Sequence, residues 1–140
     1  MNKFKEIRPI VLGLAIKDNK ILADEGYDTV KQKLFYRIPG GGIEFLETAE
    51  QALIREFKEE LNVDIKIIEK LDVIESIFVY EGKEAHEIIF IYKIEIPEEQ
   101  LQEEYIVVED GEESITKWVD KDDIMNGNKI MFPEIVKEYI

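Results

Sequence analysis

The chain has 140 residues, with 32 Asp and Glu against 18 Lys and Arg, a net charge of −14 and no cysteine. That length reads as one domain, residues 1–140, able to bury a core without disulfide staples, and the missing thiols exclude thiolate chemistry. The acidity argues against nonspecific binding to long nucleic acid or anionic membrane; with no bilayer-length apolar run and no signal-peptide core behind Met1, the expected location is cytoplasmic.

Ile7 to Ile16 is apolar with small residues interspersed and predicts a strand buried on both faces. Asp18-Asn19 marks a turn, Lys20 to Ala23 returns as the partner strand, and polar Asp24 to Lys33 predicts a loop over the site. Leu34 to Ile38 reads as the next strand, with Phe35 and Arg37 on one face and Tyr36 and Ile38 on the other. Arg37 stands just before a run of glycines, where it could meet a phosphate or pair with a glutamate. The plainer alternative is a solvated strand-end arginine.

Gly40, Gly41 and Gly42 follow Pro39. Consecutive glycines let a backbone approach a ligand closely or adopt positive φ, which a loop carrying a carbonyl ligand or meeting a phosphate needs. Thr48 then N-caps a helix, Gln51 completes a capping box, and Asn62 tolerates the left-handed conformation that ends one. On that helix Ala49, Ala52, Leu53, Phe57 and Leu61 form an apolar stripe, and Glu56, Glu59 and Glu60 cluster on its flank at i, i+3 and i+4. Glu60 falls between Ala49 and Leu53 on the wheel, so it points at the edge of the apolar face beside two like charges, against which Arg55 supplies one positive charge. Such a cluster suits a hard divalent cation, since Mg2+ takes a few carboxylates together with waters and substrate phosphates. The stretch is not a Walker A loop, because no Gly-Lys-Ser/Thr follows, nor a dinucleotide fingerprint, because its glycines are consecutive. A merely solvated glutamate face, paired with Arg55 and Lys58, explains neither the glycines nor the placement of Glu60.

Beyond the helix, Ile65 to Tyr80 predicts one or two strands, Glu81 to Ala85 a hairpin turn, and His86 to Ile96 the returning strand, ended by Pro97. Ile88, Phe90, Tyr92 and Ile94 share one face of that strand, Ile89 and Ile91 the other. Pro97 to Glu113 is acidic and reads as a long solvated loop around the apolar patch Tyr105 to Val108. Ile115 to Val119 predicts a strand, Asp120 to Asp123 a helix start, and Pro133 a first-turn proline opening a final helix to Ile140. Phe57, Trp118 and Phe132 are expected in the core. Strands outnumber helices, which supports an α+β arrangement.

Gly41, five residues, Glu47, seven residues, then Arg55-Glu56-Phe57-Lys58-Glu59-Glu60-Leu61-Asn62-Val63 resembles the Nudix box, G-x5-E-x7-R-E-U-x-E-E-x-G-U, where U is a bulky apolar residue. Every charged position is present. The departures are Asn62 where the family usually has Gly, and Leu46 where Gly often precedes the Glu. The resemblance implies the α+β Nudix fold, a mixed β-sheet sandwiched between α-helices (α/β/α), and a MutT-like hydrolase that cleaves a pyrophosphate bond in a nucleoside diphosphate derivative. It implies that Glu56, Glu59 and Glu60 hold one or more Mg2+ ions, with Mn2+ a possible substitute, and that the metal neutralises the phosphates and acidifies the attacking water. A backbone carbonyl near Gly41 would complete the site, and Gly40, Gly41, Gly42 and Arg37 would meet the substrate. Glu47 and Arg55 would act behind the ligands, Arg55 orienting Glu56. The general base would be Glu56 or a glutamate of the later acidic segment. Glu112 or Glu113, with Glu109 behind them, would supply that base or a further ligand. Glu44 is either an indirect contributor or a surface residue. His86 begins a strand as half of a His-Glu pair that many members show, without an assigned role. Family habit suggests a homodimer. Two rival functions stand beside hydrolysis: a nucleotide-binding module of the same fold, and an acidic cation-binding protein.

Overall fold

A computed structural model describes residues 5–140. Its elements in order are β1 (Ile7–Leu14), β2 (Ile16–Lys17), β3 (Lys20–Asp28), β4 (Lys33–Arg37), β5 (Gly40–Gly42), α1 (Ala49–Leu61), β6 (Lys66–Tyr80), β7 (Lys83–Glu95), a 3₁₀ turn Glu98–Gln100, β8 (Glu104–Glu109), β9 (Glu112–Asp120), α2 (Lys121–Met125), β10 (Met131–Phe132) and a 3₁₀ helix Glu134–Tyr139.

The strands divide between two sheets. One runs β5-β1-β7-β6, and the other runs β10-β4-β3-β9-β8 with β2 beside β3. The β1–β7 and β4–β10 pairs are parallel and the rest antiparallel, so both sheets are mixed. β1 is apolar from Ile10 onward because both its faces are covered there, whereas Ile7, Arg8 and Pro9 are exposed. Ile10, Leu12 and Leu14 enter one core with Ile124, Met131 and Val136, while Val11 enters the other with Leu53, Phe57 and Leu61 of α1. Helical segments thus lie on both sides of the strands, the expected α+β layering. Burying Leu53 and Phe57 contributes roughly 1.5–3 kcal/mol each, and this packing anchors the glutamates on the rest of α1.

The helix ends are those the sequence predicts. The Thr48 hydroxyl accepts from the Gln51 N–H at 3.1 Å, the Gln51 side-chain oxygen accepts from the Thr48 N–H at 2.9 Å, and Asn62 caps the C-terminus at φ 56°, ψ 40°. Ala52, Leu53, Phe57 and Leu61 are the buried stripe.

Several expectations are corrected. Of Asp24 to Lys33 only residues 29–32 form a loop, a turn, since β3 continues to Asp28, paired with β4 and β9, and β4 begins at Lys33. Its polar residues misled because Asp24 faces a cleft rather than a core. The first hairpin is only the Ile16–Lys17 step against Lys20–Ile21, and the chain passes there from one sheet to the other. Gly40 to Gly42 is an edge strand on β1 rather than a loop, and φ is left-handed at Leu46 (72°), where the resembled box often has Gly. Pro97 to Glu113 holds a 3₁₀ turn and β8, whose Tyr105 and Val107 are buried by pairing with β9. The C-terminal helix is 3₁₀, with Pro133 at its cap. Phe132 is 45% exposed, its ring meeting Phe35 edge-on instead of entering the core; Phe57 is buried, and Trp118 packs at the core margin with its Nε1–H donated to the Gln102 carbonyl at 2.9 Å.

Candidate functional site

β5 and α1 meet face to face, and the contact works because Gly41 has no side chain. A Cβ there would fall 2.4 Å from the Glu56 carboxyl carbon, so the glutamate occupies the space any other residue would fill. At Gly40 a Cβ would lie 1.9 Å from the Val11 carbonyl oxygen, which ties that glycine to the β1 ladder. The bonds from Ile43 N–H to the Pro9 carbonyl and from Gly13 N–H to the Pro39 carbonyl flank the Val11–Gly41 pair. By antiparallel alternation Val11 and Gly41 are then the hydrogen-bonded pair, while the Gly40 and Gly42 carbonyls face away from β1.

Arg55 ties these pieces together. Its Nε and Nη2 donate to both oxygens of Glu47 at 2.7 and 2.9 Å, Nη2 also to the Gly42 carbonyl at 3.0 Å, and Nη1 to Glu56 at 2.8 Å and Glu59 at 3.3 Å. The planar fork matches a carboxylate with two parallel bonds, which a lysine cannot do. Those bonds, helped by the Glu44 N–H, hold the Glu47 carboxyl down at about 2, and Glu47 in turn raises the guanidinium. Glu44 stands 3.8 Å from Arg55 with its side chain mostly in solvent.

Glu60 faces the other way. Burial pushes its carboxyl up to about 8, with a hydrogen bond to Glu56 and the charges of Glu56, Asp24 and Glu109 adding to the rise. Asp24, on β3, is pushed up to about 6 by burial, against the opposing effects of a hydrogen bond from the Thr116 hydroxyl and the nearby Arg37 charge. Glu60, Asp24 and Glu109 line one cleft of about 270 Å³ between the sheets, floored by Gly40, Gly41 and Gly42. A second hollow of about 380 Å³, against the C-terminus of α1 and β8, has Glu60 in its wall as well.

The structure therefore brings Glu56, Glu60, Arg55, Glu47 and the glycines together, with Arg37 in the cleft wall. Glu59 lies at the margin, its side chain 61% exposed and drawn to Arg55. Glu112 and Glu113 sit exposed at the start of β9 and do not line the cleft; Glu109, paired with Glu112 across the hairpin, does. His86 pairs with Ile7 and Ile77 in the sheet, outside the cleft lining. Among the described residues no three acidic or imidazole side chains stand close enough to hold an ion as they are, because Arg55 takes the carboxylates of Glu56 and Glu59.

Sequence reasoning missed Asp24, Arg8 and Glu87. Parity carried a signal for Glu87: it shares a strand face with buried Ile89 and Ile91, and it is itself 4% exposed. A carboxylate on an apolar face needs a partner, and here it accepts from Arg37 Nη2 at 2.8 Å.

The NUDIX domain family model matches residues 7–138. Over 92 residues, 66% of this chain, the sequence is 30% identical to a Mycobacterium tuberculosis (strain CDC 1551 / Oshkosh) protein that bears the provisional name mutator protein MutT4; the match covers 37% of that protein, so the chain spans well under half the length of this relative. Among solved structures, the MutT NUDIX hydrolase from Burkholderia pseudomallei aligns with a TM-score of 0.65 at 24% identity, covering 86% of this chain and 88% of that one. A UDP-X diphosphatase aligns at 0.63 and 18%, covering 95% and 59%. At these identities the structural likeness speaks to fold.

Proposed function

The chain belongs to the NUDIX family, and from that membership we propose that it hydrolyses a pyrophosphate bond in a nucleoside diphosphate derivative, using Mg2+ or Mn2+. The observation that carries this reading is Glu60. A carboxyl half-buried against Glu56, with Asp24 and Glu109 adding negative charge, is raised to about 8 and marks a place where positive charge is wanted. The donor set is all oxygen, which suits a hard divalent ion.

Glu56 and Glu60 would hold the cation, with Glu59 released from Arg55 to join them and Glu109 or Asp24 reaching from the facing sheet. The Gly40 carbonyl, facing away from β1, is a better candidate than that of Gly41, which the ladder already uses. Bound there, the ion would neutralise phosphate charge and acidify a water. The protein's own part is positional. Arg55 fixes one oxygen of Glu56, whose carboxyl also shares a hydrogen bond with Glu60, and so sets where Glu56 can meet an ion or a water; Glu47 fixes Arg55. Gly41 lets the β5 backbone and Glu56 approach without a side chain between them.

The test is nucleotide and phosphate release from a panel of nucleoside diphosphate derivatives with Mg2+ or Mn2+, for the natural chain and for Glu60→Gln. Metal-dependent turnover of any member, reduced by roughly 100-fold or more in the variant, is the expected outcome. Absence of turnover across the panel, with nucleotide binding unchanged by the substitution, would replace hydrolysis with the binding-module reading.

A further inference from the structure

The cleft has a second charged end, which the hydrolytic reading leaves without a task. Glu87 on β7 faces Arg8 directly across the parallel β1–β7 ladder, and Arg37 reaches it from β4 in the other sheet. Arg37 Nη2 donates to Glu87 at 2.8 Å, and Arg8 Nη1 stands 3.8 Å from its other oxygen. A buried carboxylate needs one cation to balance it; Glu87 has two beside it, but Arg37 also faces Asp24 across the β3–β4 ladder, so Arg8 is the one held loosely. Arg37 is the committed partner, with 28% of its side chain exposed. Arg8 is the loose one, 53% exposed. Its Nη2 lies 4.0 Å from where a Cβ on Gly42 would be, so the guanidinium rests beside the glycine strand.

All three residues line the same cleft as Glu60, Asp24 and Glu109. Among the described residues no aromatic ring lines the cleft. Along the lining the charges alternate, Arg37 facing Asp24 and Glu87 lying between Arg37 and Arg8; a polyphosphate whose metal-bound part lies toward Glu60 can place its last charged group against the loosely held Arg8.

We propose that Arg8, with Arg37 fixed beside it by Glu87, binds a terminal phosphate of the substrate, so that the site selects nucleoside triphosphates over nucleoside diphosphates capped by an uncharged sugar. The nucleotide nature of the ligand rests on the pyrophosphohydrolase reading; the contact itself does not need turnover. Calorimetry with Mg2+ on the α,β-methylene analogues of a nucleoside triphosphate and of the matching sugar-capped diphosphate isolates it. The natural chain is expected to bind the triphosphate analogue about tenfold or more tightly than the sugar-capped diphosphate, the effect of one charge-assisted contact. Arg8→Gln cuts that preference below about threefold and leaves diphosphate affinity in place, and Arg8→Lys, which keeps charge but loses the fork, falls between. Equal affinities in the natural chain, equal weakening of both ligands in Arg8→Gln, or binding of neither would overturn the proposal. Turnover is scored separately. A preference that survives without turnover removes hydrolysis and keeps the subsite, whereas turnover without a preference keeps hydrolysis and removes the subsite.

Discussion

Glu56 fills the space in front of Gly41, and that single contact makes a strand glycine part of the chemistry. φ at Gly41 lies outside the left-handed region, so alanine is acceptable to the backbone there, but its Cβ would meet the Glu56 carboxyl at 2.4 Å. Glu56 must then leave the position that Arg55 and Glu60 define. Gly41→Ala is expected to lower kcat by about 10- to 100-fold, the scale of a misplacement near 1 Å, with a melting temperature close to that of the natural chain. Gly40→Ala behaves in the opposite way, because its Cβ would strike backbone, the Val11 carbonyl oxygen at 1.9 Å. That clash cannot be relieved by a rotamer, and a destabilisation of about 2 kcal/mol or more follows. Steady-state kinetics and thermal melts on the two variants separate the roles. A Gly41→Ala enzyme with full activity would contradict the packing described above.

At the scale of elements, Arg55 decides how α1 sits on β5 and on the turn that carries Glu44 and Glu47. It makes five hydrogen bonds from three nitrogens, four to carboxylates and one to the Gly42 carbonyl. Arg55→Lys keeps the charge and loses the two-pronged hold on Glu47. The expected result is a 10- to 100-fold loss in metal affinity or kcat, the range typical of residues that orient ligands, without loss of the helix, whose caps and apolar stripe are untouched. Calorimetric Mg2+ titration and circular dichroism would show it; unchanged affinity would reduce Arg55 to an ordinary surface pair. The same helix shows what a sequence can reveal. Thr48, Gln51 and Asn62 act on neighbours within four residues, so the capping box and the left-handed end were legible, and so was the position of Glu60 on the wheel. Asp24 and Glu87 were not, because what they do depends on Thr116, Arg37 and Arg8, which only the pairing of β3 with β4 and β9 and of β1 with β7 brings near. β8 was hidden for a related reason. Glu103, Glu104 and Glu109 surround its two buried side chains, Tyr105 and Val107, and an acidic run with alternate apolar positions reads as loop until its partner strand is known.

Across the whole molecule the two sheets are bridged at the β6–β7 turn and again at Glu87, in the first half of β7, and the bridges differ in kind. At the hairpin end Glu81 accepts from the Thr29 N–H and hydroxyl, and Asp28 accepts from the Val30, Lys31 and Glu81 N–H groups, so loops close the gap with satisfied bonds. Farther along the strand the bridge is Arg37 on Glu87, and beside it the cleft opens onto Glu60 and Glu109, which form no ion pair among the described residues. In a chain of net charge −14 that difference has a thermodynamic consequence. A carboxyl whose folded pKa lies above its unfolded value favours the fold while protonated, so its contribution is present at low pH and is lost as pH rises through the folded value. Glu60, raised from an ordinary 4.5 to about 8, and Asp24, raised from 3.8 to about 6, both behave so. Glu47, held at about 2, works in reverse and has given its full contribution by about pH 5. General repulsion among ordinary carboxylates is complete by about pH 6, which leaves the window from pH 6.5 to 8 to Glu60. In EDTA the melting temperature is expected to fall across that window, and Glu60→Gln to flatten the fall. Mg2+ replaces the lost proton with a cation, so its stabilising effect should grow with pH over the same range. Melts of both proteins at pH 6.5, 7.25 and 8, about evenly spaced through the window, with EDTA and with Mg2+, decide the matter. A natural chain whose metal-free stability is level from 6.5 to 8, or a variant that declines just as steeply, would mean that the electrostatic strain around Glu60 is already relieved within the protein. The cleft would then have no need of an ion.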